Sequence, residues 1–174
     1  MITKAACLIL ALALTPFVAA QAAEGVLRVR GEIKTPLSLT VAEIKSRPSA
    51  TAHAKDHSGK IAAYEGVSLS AILQQAGVPL GEALRGDALQ LCVVVRAADG
   101  YKAVFALAEL DPAMTDKQVI LAFRKDDADL DPATGPLRLV IPDEKQQARW
   151  VRQVTELEVV RVGAGEKPLP NVTK

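Results

Sequence analysis

Apolar and polar residues alternate or recur along the chain in patterns that predict short secondary-structure elements. In "GVLRVRGEI" (25–33) they alternate, which predicts a half-buried strand. In "SLSAILQQAGV" (68–78) the apolar residues fall on one helical face, with Ser68 as N-cap and Gly77 closing the helix. Thr40 and Glu43 have the spacing of a capping box, which predicts a short helix that ends before Pro48. "ALAELDP" predicts one more helical turn.

Seven further segments predict strands. "SATAHAKDHSGKIAAYEGV" (49–67) indicates two strands joined by a turn at Ser58-Gly59. The other five are "DALQLCVVVRA", "KAVFAL", "KQVILAFR", "PLRLVIP" and "VTELEVVRV". Eight strands and three short helices that do not alternate strictly are typical of an α+β domain with mixed β-sheets.

The two ends of the chain differ from this pattern. Lys4 is followed by the apolar run "AACLILALAL" and by small residues, so residues 1–22 are predicted to be a signal peptide cleaved near Ala20-Gln21-Ala22. A retained N-terminal anchor is the alternative, although the run is short for a membrane span. We expect a periplasmic or secreted domain over residues 23–162, with no membrane insertion after cleavage. The segment 163–174 has no periodicity and is predicted to be a disordered tail.

Charge and cysteine content limit the classes of function. Removal of residues 1–22 takes away Lys4 and leaves equal numbers of basic and acidic residues. This balance gives no electrostatic reason to expect nucleic-acid binding. Cleavage also removes Cys7, so Cys92 remains without a partner for an internal disulfide. Cys92 lies in an apolar run and is predicted to be a small buried residue rather than a reactive thiol.

Two segments contain residue types that bind metals. His53 and His57 lie in a predicted strand, about 13 Å apart, which is too far for one ion. Asp127, Asp129 and Asp131 match the first spacings of an EF-hand loop, but Pro132 replaces its glycine and Arg138 its terminal glutamate. A solvated loop is the expected structure there, and a weak surface calcium site is the alternative.

Five segments in order carry a family resemblance: "YEGVSLSAILQQAG", "AADGYKAVFALAEL", "VILAF", "GPLRLVIP" and "ARWVRQVTELEV". In this order they resemble the oxidoreductase molybdopterin-binding domain of the sulfite oxidase type. The resemblance covers about Leu27 to Val162. It implies a compact α+β fold around a pterin dithiolene cofactor that holds molybdenum.

The resemblance also implies candidate cofactor-binding residues, namely Arg138, Arg149, Trp150 and Arg152. Arg138 would lie near the cofactor pocket. Larger members carry a P-G-x-x-G-A-R-x-V-K segment whose basic residues help to hold the pterin phosphate, and here Arg149 and Arg152 fall on its arginine and lysine. A guanidinium offers fixed donors that match a phosphate. The alternative is that Arg149 and Arg152 form an exposed face while Trp150 packs inward.

The sequence departs from the family pattern at the metal site. The larger enzymes bind molybdenum through a cysteine that precedes the Y-x-G-V-x-L motif, and "SATAHAKDHSGKIAAYEGV" has none. Cys92 lies in a later strand and does not take that role. Both glycines of the P-G-x-x-G turn are absent, and Asp143 follows Pro142. No metal-binding residue is therefore assigned, and whether any cofactor is bound stays open.

Three functions follow as hypotheses. The first is a binding module without the metal site, which would take a small anionic ligand or a periplasmic redox partner near Arg138, Arg149 and Trp150. The alternative is an active molybdopterin-dependent oxidoreductase that acts on a small oxyanion or oxide. The third is a structural or assembly partner in a periplasmic redox system. Departures from the family pattern favour the first, and enzymatic activity is left undecided.

Overall fold

The computed structural model describes residues 26–163. The predicted signal peptide, residues 1–22, and residues 164–174 of the predicted tail lie outside the described residues. Between residues 26 and 163, no helix combines the length and the apolar composition that a membrane crossing requires.

The described residues form ten strands, two α-helices and four short 3-10 turns. The strands are β1 (Val26–Gly31), β2 (Leu37–Thr40), β3 (Ala50–Lys55), β4 (Ile61–Ser68), β5 (Leu91–Ala97), β6 (Lys102–Ala106), β7 (Ile120–Lys125), β8 (Ala128–Asp129), β9 (Arg138–Val140) and β10 (Val154–Arg161). The α-helices are α1 (Val41–Lys45) and α2 (Leu69–Gln75). The 3-10 turns span Gly81–Ala83, Gly86–Gln90, Leu107–Leu110 and Gln147–Arg149.

The strands form two sheets of five strands each. In the first sheet the order is β2-β1-β10-β5-β6, and the β1–β10 pair is parallel whereas its other pairs are antiparallel. In the second sheet β3, β4, β7 and β8 follow one another, and β9 also pairs with β7. All pairs of the second sheet are antiparallel. The mixed-sheet α+β fold that the sequence predicts is confirmed.

Alternation along the strands builds the core. In β5, Leu91, Val93 and Val95 are buried while the residues between them are partly exposed. The buried side chains of both sheets and of α2 belong to one hydrophobic cluster. Burying one such side chain contributes about 1.5–3 kcal/mol. The pattern of apolar residues therefore determines which face of each strand points inward.

The helix ends follow the predicted capping residues. The Glu43 amide donates to Thr40 Oγ1 at 3.2 Å, and the Thr40 amide donates to Glu43 Oε2 at 2.7 Å, so the capping box that precedes α1 is formed. Ser68 occupies the N-cap position of α2, but its side chain makes no capping hydrogen bond. Gly77 follows α2 with φ of 76°, a left-handed conformation that favours glycine.

Two details of the sequence prediction are wrong. Asp87 to Gln90 belong to a 3-10 turn rather than to the strand, which begins at Leu91. Cys92 is half-buried, not buried, because it lies on the face of β5 opposite to Leu91 and Val93. The thiol therefore lies within the first sheet, on a strand that pairs with β6 and β10.

Candidate functional site

A cleft of about 770 Å³ lies between the β3–β4 hairpin and the segment 142–147. Its volume is in the range of pockets that take small ligands. We call it the hairpin cleft, and its lining residues are His53, Ala54, Lys55, Asp56, His57, Gly59, Ile61, Pro142, Glu144, Lys145, Gln146, Gln147 and Trp150. The hairpin supplies one wall, and the chain that follows β9 supplies the other.

Asp56 shapes the hairpin wall. Its Oδ1 accepts hydrogen bonds from the backbone amides of Ser58 (2.9 Å) and Lys60 (3.1 Å), which closes the turn. Its Oδ2 accepts a hydrogen bond from Lys125 Nζ at 2.8 Å, which ties the turn to β7. The ammonium of Lys125 and, after it, the hydroxyl of Ser58 hold the pKa of Asp56 well below its usual range.

Asp56→Asn is expected to lower the free energy of unfolding at about pH 7. The folded protein holds the pKa of Asp56 below its unfolded value of about 3.9, so the stability that its charge contributes is present above that value and is lost as the pH falls through the folded pKa. The deficit of the variant should therefore shrink below about pH 4. Urea denaturation at several pH values measures it.

Asp143→Asn serves as the matched control for this prediction. Asp143 is exposed and has no ion pair among the described residues, so its replacement should change stability little across the same range. A deficit of Asp56→Asn that grows as the solution becomes more acidic would contradict the assignment.

Gln147 links the two walls of the cleft. Its Nε2 donates to the Lys55 carbonyl oxygen at 2.5 Å, and its Oε1 accepts from Arg138 Nη2 at 3.3 Å. One side chain thus connects the end of β3 to an arginine of β9. A 3-10 turn that begins at Gln147 orients this side chain.

Arg138, Tyr64 and Trp150 form an arginine–aromatic stack behind the cleft. The Trp150 and Tyr64 rings meet edge to face with centroids 5.8 Å apart. The Arg138 guanidinium carbon lies 5.3 Å from the Trp150 centroid and 6.0 Å from the Tyr64 centroid, within cation–π distance. Trp150 Nε1 donates to the Ile141 carbonyl oxygen at 3.1 Å. Trp150 is 4% exposed and thus packs inward, as the second of the two sequence interpretations of this segment expects.

Two buried polar atoms of the stack have no hydrogen-bond partner in the described chain: Tyr64 Oη and Arg138 Nε. Burial raises the pKa of Tyr64 and lowers the pKa of Arg138. Because leaving such atoms unpaired costs about 1–3 kcal/mol each, a water or ligand atom bound beside them would be stabilised.

Arg149 lies in a separate ion-pair cluster. It binds Glu109 through Nη1 at 3.1 Å and also binds Glu144, and its guanidinium carbon is 4.4 Å from the Phe105 centroid. The hydrogen bonds to Glu109 hold the pKa of Arg149 above its usual value. Two carboxylates therefore already occupy donors that a phosphate would need.

The four sequence-predicted site residues thus fall in different surroundings. Arg138 and Trp150 stack together, and Trp150 also lines the hairpin cleft. Arg152 is exposed and lines a smaller depression of about 260 Å³ beside Asp99 and Tyr101. Arg149 does not line the hairpin cleft among the described residues. A role of these residues in binding stays a prediction.

Sequence reasoning missed Lys55, Lys145 and Gln147. The cleft carboxylates are neutralised, since Asp56 pairs with Lys125 and Glu144 with Arg149. Lys55 and Lys145 make no ion pair within the described residues. The remaining charge of the lining is therefore positive. The two lysines lie 90 positions apart, so no local motif marks them.

The two histidines lie in different parts of the hairpin. His53 lies in β3, and both histidines line the hairpin cleft, but His57 lies in the turn beyond the end of the strand rather than in the strand that the sequence predicts. Across residues 26–163, no group of three or more histidine, cysteine or acidic residues is arranged to hold a metal ion. In the acidic loop, Asp129 pairs with Lys45, and the Asp131 carboxylate accepts hydrogen bonds from its own turn.

Comparison with known proteins identifies the family. The family model described as the oxidoreductase molybdopterin binding domain matches residues 15–165. The chain belongs to this family. The crystal structure of the sulfane dehydrogenase SoxCD from Paracoccus pantotrophus has a TM-score of 0.63 and 21% identity to the chain, and the match covers 84% of this chain and 42% of that one. At this identity the likeness shows the fold, not the activity. No curated protein matches the sequence.

The residues of the hairpin cleft do not fit the molybdenum cofactor of this family. The hairpin segment that precedes "YEGV" lines the cleft with histidine, lysine and aspartate, and it contains no cysteine to supply the soft thiolate ligand. Cys92 lies on β5 of the first sheet instead. On the phosphate side, Arg149 is bound by two carboxylates.

Proposed function

We propose that this protein is a periplasmic or secreted binding module that keeps the fold of its family without the metal site. Its hairpin cleft binds an anionic group carried by a small organic ligand or by a partner protein. The observation that carries the proposal is the composition of the cleft, where histidine and lysine stand in the segment that supplies the cysteine in larger relatives. The N-terminal apolar run supports export.

Electrostatics explains why an anion is the expected ligand. Asp56 and Glu144 are already paired with cations outside the lining, so Lys55 and Lys145 set the charge of the cleft. An ammonium that faces a carboxylate forms a charge-assisted hydrogen bond, which is stronger than a neutral one. The edge of Trp150 and the exposed Ile61 add apolar surface for the carbon skeleton of the ligand.

The proposal is tested on protein purified from the periplasm of its own host, grown with ample molybdate. We expect no stoichiometric molybdenum and no released pterin, because the cleft lacks a thiolate ligand. Elemental analysis and pterin fluorescence measure both, and a family member that carries the cysteine is purified in parallel as the positive control. Stoichiometric metal and pterin would instead support an active oxidoreductase with an unusual site.

The same preparation is then titrated with glutarate by calorimetry. Replacing Lys55 and Lys145 together with alanine should weaken binding about tenfold, since each contributes a charge-assisted contact. Lys60→Ala is the matched control, because Lys60 is an exposed lysine of the same hairpin outside the cleft lining. Equal affinity of the double variant and the native chain would contradict anion binding in this cleft.

A further inference from the structure

One edge of the second sheet carries backbone groups that face the hairpin cleft. β3 pairs with β4 on one side and has no strand on the other among the described residues. His53 lies opposite Ala63. The Ala63 amide donates to Asp126 Oδ1 at 2.9 Å, and its carbonyl oxygen accepts from the Asp126 amide at 2.8 Å. Ala63 thus directs its backbone groups away from β3.

It follows that His53 also directs its backbone groups away from β4. In an antiparallel pair of strands, residues that lie opposite each other are of two kinds. Either they exchange both backbone hydrogen bonds, or the amide and carbonyl groups of both residues point away from the partner strand. The two kinds alternate along the strand. Thr51 and Lys55 must then point outward with His53. Two side-chain contacts agree, since Gln118 Nε2 donates to the Thr51 carbonyl oxygen and Gln147 Nε2 to that of Lys55.

Glutamine side chains therefore cover two of the outward carbonyls and leave the middle of the edge unpaired. Within the described chain, the amides of Thr51, His53 and Lys55 and the carbonyl of His53 have no hydrogen-bond partner. These groups span about 13 Å, the length of a short strand. An unpaired edge of this kind is a template for a strand supplied by another chain.

Charge determines which kind of strand fits. The exposed side chains of His53 and Lys55 line one side of the edge, and Lys145 lies on the opposite wall of the cleft. Opposite charges on directly paired cross-strand residues stabilise a sheet, and like charges destabilise it. A strand with acidic residues at alternate positions would place them beside these lysines, whereas a basic strand would be repelled.

We propose that the edge of β3 binds an extended acidic segment of a partner protein, which adds to the second sheet as a further strand inside the hairpin cleft. This inference rests on the proposed function and specifies its ligand. The backbone groups of Thr51, His53 and Lys55 supply the hydrogen bonds of the added strand. Lys55 and Lys145 select the acidic side chains, and Gln147 leaves the Lys55 carbonyl when the segment enters.

The test uses a fluorescent peptide, acetyl-Glu-Val-Glu-Val-Glu-amide, and fluorescence anisotropy on the full mature chain. We expect saturable binding, and binding about tenfold weaker for the same peptide methylated on the backbone nitrogens that would face β3, since methylation removes the donors. The lysine analogue should not bind. Equal affinity of the methylated and unmethylated peptides would overturn strand addition.

Protein variants give a second measurement. His53→Pro removes an outward amide without touching the β3–β4 hydrogen bonds, so it should bind the peptide about tenfold more weakly than His53→Ala, which loses the same side chain but keeps that amide. Circular dichroism verifies the fold of both. If His53→Pro does not fold, the methylated peptide decides the question alone. If the native chain forms dimers and His53→Pro does not, the proposal is overturned, because a second copy of the chain would then occupy the edge of β3.

Titration with glutarate separates the two proposals. If glutarate binds, and the methylated peptide binds as tightly as the unmethylated one, the anion-binding function is retained and strand addition is rejected. Absence of binding by both glutarate and the acidic peptide would reject both. Selective binding of the unmethylated acidic peptide, weakened in His53→Pro, supports both proposals.

Discussion

Trp150→Ala should lower the free energy of unfolding by about 3–5 kcal/mol. The indole is 4% exposed, packs edge to face on Tyr64 and covers the Arg138 guanidinium. Its removal leaves a cavity between the two walls of the cleft and leaves the Ile141 carbonyl oxygen without its donor. For a domain of this size the midpoint of thermal unfolding should fall by about 10 °C.

Unfolding of Trp150→Ala is followed by circular dichroism, because the variant has lost the only tryptophan and thus its fluorescence signal. Val104→Ala is the matched control, since Val104 is an exposed apolar residue and its truncation should cost no more than about 0.5 kcal/mol. Trp150→Phe keeps an aromatic ring but loses the hydrogen bond to Ile141, so its loss of unfolding free energy should lie between those of Trp150→Ala and Val104→Ala. A loss below about 1 kcal/mol for Trp150→Ala would mean that the stack does not hold the cleft wall.

The fold was accessible from sequence where periodicity extended over several residues. The eight predicted strands correspond to strands of the structure, and the capping box of Thr40 and Glu43 marked α1. The two strands that were not predicted, β2 and β8, have four and two residues, and neither lies in a longer apolar run such as the "PLRLVIP" segment that contains the three-residue strand β9. Both owe their pairing to neighbouring strands rather than to their own composition.

The site was less accessible, because its charges are balanced by residues distant in sequence. The family motif around Arg149 implies that this residue binds a phosphate. In the structure it pairs with Glu109, which lies 40 positions earlier in the chain. In the same way, Lys125 neutralises Asp56 and leaves Lys55 as a free charge of the hairpin. Only the tertiary fold determines which members of the "HAKDH" segment remain available for a ligand. The composition of the segment alone does not show which of its charged residues are already paired.

The contacts that hold the β3–β4 hairpin are made by the chain itself. The hairpin that would carry the cysteine is held by Asp56, by the β3–β4 ladder and by Gln147. The second sheet therefore does not depend on a bound cofactor for its hydrogen bonds.

Gly66→Ala should lower the free energy of unfolding by about 3 kcal/mol, because a Cβ at this position would collide with β7. It would lie 2.3 Å from the Leu121 carbonyl oxygen and 2.6 Å from the Ala122 Cα, and these backbone atoms cannot rotate away as a side chain does. The register between β4 and β7 shifts between Glu65 and Gly66, so the two strands approach closely there. This close approach explains the glycine of the "YEGV" segment.

Gly59→Ala is the control that separates collision from backbone strain. Gly59 has φ of 83°, which strains an alanine, but no atom lies within 4 Å of its would-be Cβ, so the cost should be only about 1 kcal/mol. Gly66 has no positive φ, and its larger expected cost comes from contact alone. Urea denaturation of both variants compares these costs. A smaller loss at Gly66 than at Gly59 would show that β4 can move away from β7. Tyr64 and the neighbouring cleft wall would then be free to shift with it.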